Sequence, residues 1–564
     1  MKYLYLIILL FLGFSCKTKL HATESSAIEQ KLEALSNQIL SKMTDEEKAG
    51  QVIHIAIPKN FLDEVAIAEL KKIRPGGVIL FGVNLGKEKE IRNLNRLLQL
   101  EMKSLKALPL LISTDQEGGR VIRVELGVTS FPGAMAIGQT DNLINAEKIG
   151  FITSYELRKL GINLLLAPVL DINNNPENPV INTRSFGMDL KSSEFALAYE
   201  RGARTAGAIP VIKHFPGHGD TTVDSHLGLP IIKKTETQLD EFELIPFKKS
   251  IDEGALAIMS AHIVYPNLDS EYPATLSKKI LTNILRKKLG FKGLVFTDAM
   301  EMDAIAKNYQ NLKTGTLAIQ AGADVILLTS WGKTTSYYHE MILDSIKKNE
   351  FIIDNVNYLD ESIKRQIKLK LRTGLFQANF SFTKIQDKEL EEYISKNRKL
   401  AKEKYNEFKT ESITALNKTI SNEAIKSFQF EFKPYSLDQS KNFIYILKNE
   451  IIQAEMSKLD VLYLSEKSLS KVLKKNPTST YVFDSREQKD LDFIKQIAQK
   501  ETKANFILLH FGSPFADLPI LPNCKIIFSF SPTKESLIAL VNKTLNSKSL
   551  ESIPAAKLTY RQNK

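Results

Sequence analysis

The sequence predicts an α/β protein: a (β/α)8 TIM-type barrel followed by a smaller α/β sandwich domain. Eight short apolar runs alternate with helical stretches through the first two thirds of the chain. Near-continuous apolar strands separated by helices indicate a parallel sheet covered on both faces. No G-x-G-x-x-G turn follows the first run and no G-x-x-x-x-G-K-[ST] loop occurs anywhere, so a nucleotide-binding open sheet is disfavoured. The chain has 564 residues, and one core rarely grows past roughly 250–300, so two or three domains are expected.

Taken in order, residues 1–16 read as a lipoprotein-type signal peptide. Met1 and Lys2 give a positive start and residues 3–14 are almost continuously apolar. About 12 apolar residues are too few to span a ~30 Å bilayer core but suit an export signal. Cys16 follows at once, where a lipidated first residue of the mature chain would stand. Residues 17–26 form a tether and 27–385 the barrel, with strands expected at 51–57, 77–81, 110–115, 163–168, 210–214, 257–262, 294–298 and 324–329. Residues 386–410 are charged and helical in character, a linker. Residues 411–564 make the second domain, with apolar runs at 443–447, 461–464, 480–483, 506–509 and 526–530 and a helix at 487–500.

Composition narrows the function. Hydrophobic residues at 43% and charged residues at 25% exclude a wholly disordered chain and a polytopic membrane protein. Two cysteines exclude a disulfide scaffold and any multi-cysteine metal site. The net charge is +11, but the lysines are scattered, which describes a solvated basic surface rather than a nucleic-acid groove.

The polar chemistry lies between Asp115 and Asp298, at the ends of expected strands, the face on which such barrels carry active sites. The densest stretch runs from Lys213 to His226. His214 and His218 are four apart, yet Pro216, Gly217 and Gly219 forbid a zinc-binding helix there, and no metal is expected. The glycines suit a tight loop close to a ligand. Two further stretches, 113–123 and 171–184, mix carboxylates, amides and arginines, as a ligand with many hydroxyls requires. Asp298 closes a buried strand, where an unpaired carboxylate is costly. By itself it reads equally as a cap or an ion-pair partner.

These motifs together resemble family 3 glycoside hydrolases of the β-N-acetylglucosaminidase branch. The resemblance rests on Asp115-Gln-Glu-Gly-Gly-Arg-Val121, Ala167-Pro-Val-Leu-Asp-Ile-Asn-Asn-Asn-Pro176, Arg184-Ser-Phe-Gly187, Lys213-His-Phe-Pro-Gly-His-Gly219, Asp224-Ser-His226 and Thr297-Asp-Ala-Met300. It is looser in the second domain, at Glu411-Ser-Ile-Thr-Ala-Leu416 and Phe511-Gly-Ser-Pro-Phe515. It implies a retaining exo-glycosidase with Asp298 as nucleophile and His226, paired with Asp224, as acid/base. Asp115, Arg123, Arg184, Lys213 and His214 would bind the sugar. Arg120 reads as a salt-bridge former, His218 as a loop-shaping residue, His262 as structural, and Glu117 and Glu301 as carboxylates outside the nucleophile position. No cofactor is implied. The expected partners are a GlcNAc-containing oligosaccharide, from peptidoglycan fragments or chitin, and a membrane reached only through the lipid anchor. A β-glucosidase specificity, phosphorolysis in place of hydrolysis, and a lipoprotein that binds sugar without turnover are the rivals.

Overall fold

The computed structural model describes residues 27–376, 387–408, 410–424, 426–428, 443–457, 469, 472–474, 479–512, 521 and 523–546. The signal peptide, Cys16, the tether, the run at 461–464 and residues 513–515 lie outside the described residues.

Each of the eight expected runs contains a strand of one sheet: β1 (Ile53–Ala56), β2 (Gly77–Ile79), β3 (Leu111–Thr114), β4 (Leu164–Leu165), β5 (Ile209–Phe215), β6 (Ala257–Ser260), β7 (Leu294–Thr297) and β8 (Ile326–Leu327). Neighbours pair in parallel from β1 to β7, and β1 also pairs with β8. A parallel bridge between Phe296 and Val325 joins β7 to the β8 segment and closes the barrel.

Burial on both faces explains why the strands read as unbroken apolar runs. Ala56, Ile79, Leu111, Leu164, Ile209, Val211, Ala257, Met259, Leu294, Phe296 and Leu327 form one cluster. Their neighbours in sequence, Ile55, Val78, Ile112, Leu165, Ile212, Ile258, Val295 and Ile326, belong to the larger cluster that includes the surrounding helices. Successive strand side chains point to opposite faces, so each run fills two cores at once. Local signals set the helix starts. Asp63 accepts the Ala66 N–H (2.9 Å) ahead of helix Glu64–Ile73, and Asp189 accepts the Ser192 N–H (2.9 Å) ahead of Leu190–Thr205.

The N-terminal end of the barrel is tied by one carboxylate. Asp324, whose side chain is fully buried, accepts from the Val295 N–H (2.7 Å), from Arg365 Nε (2.8 Å) and from the Arg286 guanidinium. It joins the start of β7, the approach to β8 and helix Tyr358–Arg372.

A helix, Lys388–Asn406, occupies the expected linker. Beyond it lies a five-stranded sheet of β9 (Lys426–Phe428), β10 (Phe443–Ile446), β11 (Thr480–Ser485), β12 (Asn505–His510) and β13 (Cys524–Phe528), in the order β9-β13-β12-β11-β10. Strands β10 to β13 are parallel and β9 is antiparallel at the edge. Strand β9 was not expected, because three residues carry too little pattern to read. Met135 and Ala136 of the barrel pack into this sheet's core with Tyr481, Phe506, Phe528 and Phe530. The Gly133 N–H donates to Ser531 Oγ (3.4 Å) across the same junction. No helix of the described residues is long and apolar enough to cross a membrane.

Removing Asp324 would leave two partly buried guanidiniums without their carboxylate, a loss that typically costs about 3–5 kcal/mol. Asp324→Ala is therefore expected to lower unfolding stability by about that amount in urea titration. A change within 0.5 kcal/mol would show that the three-way tie is not holding the barrel end.

Candidate active site

The strand ends place the polar residues together. Asp115 follows β3, Lys213 and His214 lie in β5, and Asp298 follows β7, all at the C-terminal mouth of the barrel. They line a cleft of about 570 Å³ with Glu117, Arg120, Arg123, Arg184, His218, Asp224 and His226, against an apolar wall of Ile79, Phe81, Leu166, Met259 and Met302.

At its centre is a buried ion cluster. Lys213 Nζ donates to Asp115 Oδ1 (3.0 Å) and sits 2.7 Å from Glu117 Oε1. Arg184 grips Glu117 with two parallel bonds, Nε to Oε2 (2.8 Å) and Nη2 to Oε1 (2.9 Å). Burial opposes the charge on Glu117, but the Arg184 and Lys213 charges outweigh it and hold the carboxyl well below the usual range. The Lys213 ammonium is pushed up by the opposite pull: burial lowers it, and Glu117 and Asp115 more than compensate.

A second anchor is Asp171, with a side chain wholly shut off from solvent. Its carboxylate accepts the His214 N–H (3.1 Å), the His218 N–H (2.7 Å) and His214 Nδ1 (2.6 Å). His214 therefore keeps its proton on Nδ1 and turns Nε2 toward Arg184 Nη2, 3.4 Å away. Burial raises Asp171, and the His214 and His218 contacts lower it further than burial lifts it.

Asp298 is half-buried. Its Oδ1 accepts the Ala299 N–H (2.8 Å), and its own N–H donates to the Ser260 carbonyl (3.2 Å). Burial disfavours its charge, but His214, His262, the Ala299 N–H and Lys213 together hold it below the ordinary aspartate value. The nearby imidazoles and the Lys213 ammonium thus favour its ionised form.

Facing solvent at the cleft's rim is the loop after β5. His226 Nδ1 lies 2.7 Å from Asp224 Oδ1, the same oxygen takes the His226 N–H (2.8 Å), and the imidazole is 62% exposed. No hydrogen bond joins His226 to Asp298. Burial raises the Asp224 pKa, and the bonds from His226 bring it below the usual value.

The structure brings Asp115, Arg123, Arg184, Lys213, His214, Asp224, His226 and Asp298 to one cleft. Two sequence readings need correction. Arg120 makes no ion pair among the described residues: its Nη2 donates to the Val180 and Ile181 carbonyls. The amides of 171–184 mostly serve the fold. Asn178 spends Nδ2 on the His218 and Gly219 carbonyls (2.7 and 3.0 Å) and Oδ1 on the Val180 and Ile181 N–H groups. Asn173 Oδ1 holds the Asn182 N–H (2.9 Å). Glu117, set aside from the sequence, is the shared partner of two cleft cations. His218 does shape the loop, with Nδ1 at Thr221 Oγ1 (2.9 Å) and Nε2 at Ser225 Oγ (3.2 Å). His262 ties Thr275 Oγ1 (2.8 Å) to the Ala299 carbonyl (2.9 Å) behind Asp298. Glu301 takes the Ser330 N–H (2.8 Å) away from the cleft. Asp171 was missed. Its signal was a carboxylate inside the apolar run 164–172, where only a paired one survives.

A glycine pair lets the chain turn between Glu117 and Arg120. Gly118 and Gly119 have φ of 86° and 58°, and a Cβ on Gly119 would lie 2.6 Å from Gly133 Cα.

A closed parallel barrel with an ionised carboxylate, a rim imidazole and a cation-rich floor defines a hydrolase-type pocket for a polyhydroxylated ligand. The match of residues 44–368 to the glycosyl hydrolase family 3 N-terminal domain shows that the chain belongs to that family. It is 37% identical over 321 residues to Beta-hexosaminidase A of Pseudoalteromonas piscicida, an alignment covering 53% of each chain. It is 35% identical over 275 residues to a Beta-hexosaminidase of Nitrosomonas eutropha, covering 47% of this chain and 77% of that one. A solved family 3 beta-N-acetylglucosaminidase from Paenibacillus sp. str. FPU-7 superposes with a TM-score of 0.79 at 28% identity, covering 91% of this chain and 98% of that one.

Glu117→Gln should cost about 3 kcal/mol at pH 7, since it leaves Lys213 and Arg184 short of a charge. The Glu117 pKa is depressed in the fold, so its contribution is complete above the ordinary value of 4.5 and declines as pH falls below it. Urea titrations should show the wild type and variant converging in stability as the pH is lowered from 7 toward 3. A gap independent of pH would assign the loss to packing instead.

Proposed function

We propose that this chain is an exo-acting, retaining β-N-acetylhexosaminidase. In this reading it releases terminal non-reducing β-linked N-acetylglucosamine from peptidoglycan fragments or chitin oligosaccharides. The observation that carries the reading is the pairing of an ionised Asp298 on the cleft floor with a rim imidazole held by Asp224. The family membership and the names of the relatives support the substrate class.

Asp115, Lys213, Arg184 and His214 close one end of the cleft and take the hydroxyls of the terminal sugar, with Arg123 beside them. Asp298 attacks the anomeric carbon as the glycosidic C–O bond breaks, and the His226 imidazolium gives its proton to the leaving oxygen. The neutral imidazole then takes a proton from water as the water oxygen bonds to the anomeric carbon, and Asp298 leaves as carboxylate. Configuration is retained through the two displacements. A histidine suits this role beside Asp298, because a second carboxylate would raise the nucleophile's pKa by like-charge repulsion. Asp224 accepts from Nδ1 and leaves Nε2 as the atom that gives and takes the proton.

The same proposal takes residues 27–385 as the catalytic barrel, 386–410 as the linking helix and 411–564 as the second domain. It takes 1–16 as an export signal, with Cys16 lipidated so that the enzyme is held at a membrane outside the cytoplasm. Mass spectrometry of the mature chain should find an acylated Cys16 at the N-terminus. An unmodified Cys16 behind an intact Met1 would end that part of the reading.

Two variants separate the roles. Asp298→Ala should be inactive on every substrate. His226→Ala should form the glycosyl-enzyme almost normally from a nitrophenyl glycoside, which departs unaided, and fail with GlcNAc oligosaccharides. Its turnover of the nitrophenyl substrate should show a burst followed by a slow phase that azide accelerates. Equal loss on both substrates without a burst would remove His226 as acid/base. Aryl β-N-acetylglucosaminide and aryl β-glucoside assayed in parallel, with and without phosphate, read out specificity: preference for the glucoside, or a phosphate requirement, would replace the proposed reaction.

A further inference from the structure

The end of the barrel opposite the cleft has its own concentration of charge. Most cations there are paired: Arg286 and Arg365 with Asp324, and Lys368 and Arg372 with Glu29. One group departs from that pattern. A cavity of about 360 Å³ lies between helix Glu88–Ser104, the end of helix Leu143–Lys159 and helix Lys388–Asn406. Arg92, Arg96, Arg158, Lys159 and Arg398 line it, and no carboxylate does. Among the described residues only Arg92 has a carboxylate partner, Glu88 (3.1 Å), one turn back on its own helix. Residues 377–386, next in the chain after the barrel's last helix, contain no Asp or Glu.

Two of these side chains are held in place by backbone. Arg158 Nη1 donates to the Ala206 carbonyl (2.7 Å) and Arg398 Nη2 to the Gly374 carbonyl (2.9 Å), each leaving further N–H groups of the fork unspent. Capping those two chain ends accounts for each guanidinium singly, but not for gathering both with three more cations around one cavity. The grouping has a cost: burial and the Arg398 charge push Arg158 down to about 10. Asn95, a buried residue of the same wall, donates Nδ2 to the Leu160 carbonyl (2.8 Å), while its Oδ1 is buried and meets no donor among the described residues.

We propose that this cavity binds the phosphoryl group of a phosphate ester. One carboxylate would be satisfied by one arginine fork, whereas a phosphoryl group, with three free oxygens in a monoester and two in a diester, can engage several guanidiniums at once. The site lies at the barrel's N-terminal end, so its occupancy and sugar turnover at the mouth can coexist.

The ester could be a free molecule or a lipid headgroup, and the test separates them. Full-length protein is titrated calorimetrically with inorganic phosphate and with glycerol 1-phosphate at constant ionic strength, and is sedimented with phosphatidylglycerol vesicles against phosphatidylcholine vesicles. Arg96→Gln and Arg398→Gln are measured beside the wild type. Arg96 is exposed and, among the described residues, bonds only Asn93, so its loss leaves the fold intact even if Arg398→Gln does not fold. A free-ester site gives saturable heats that weaken about tenfold in Arg96→Gln, the worth of one charged hydrogen bond, with aryl glycoside hydrolysis unchanged. A headgroup site gives selective pelleting with phosphatidylglycerol that the same substitution weakens. The proposal is overturned if neither form binds, or if binding is the same in the variant as in the wild type.

Discussion

Burying Lys213 as an ammonium at the floor of the cleft is the constraint on which the site depends. A charged lysine shut away from water is stable only if carboxylates surround it, and Asp115, 17% exposed to the cleft, covers one side of the ammonium. Glu117 supplies the second carboxylate, and its buried charge then requires Arg184. Each partner comes from a different loop: Glu117 from the turn after β3, Arg184 from the segment after β4, Lys213 from β5 itself. Charge balance thus fixes the relative position of three loops, and Asp171 does the same for the chain on either side of Pro216. The cleft is rigid where a sugar would be gripped and open at the rim, where His226 stands in solvent.

This division matches the chemistry. The proposed nucleophile must be ionised and fixed before substrate arrives, and Asp298 meets both conditions, because the surrounding imidazoles and Lys213 outweigh its burial. A proton carrier must exchange with water, and an imidazole 62% exposed on a loop can. In the proposed mechanism the cation-rich floor serves binding and electrostatics together: the groups that would receive hydroxyls include Lys213 and His214, which also keep Asp298 charged.

The barrel was legible from the sequence because each strand is buried on both faces, so that burial writes an unbroken apolar run, and the polar residues that end those runs are the ones that line the mouth. Lys213, Asp115 and Asp298 could be placed by that logic, and their roles came from the resemblance of whole motifs. What could not be read was partnership. Glu117 is an ion-pair hub, Asn173 and Asn178 in a stretch suited to a polyhydroxylated ligand are backbone braces, and Asp171, part of a matching motif but given no role, anchors two histidines. The Asp171–His214 and Asn178–His218 contacts join positions 40 or more residues apart in the chain, a proximity that neither composition nor local spacing encodes. Strand β9 escaped for a different reason, since an edge strand of three residues has no period to detect.

The central claim is that Asp298 carries the sugar between the two chemical steps. Rapid quenching of the protein after mixing with a nitrophenyl N-acetylglucosaminide, followed by peptide mapping by mass spectrometry, tests it most directly. The account predicts one N-acetylglucosaminyl adduct on the peptide holding Asp298 and none in Asp298→Ala. An adduct on the peptide of Glu117 or Glu301, or release of product with inverted configuration and no adduct, would contradict it.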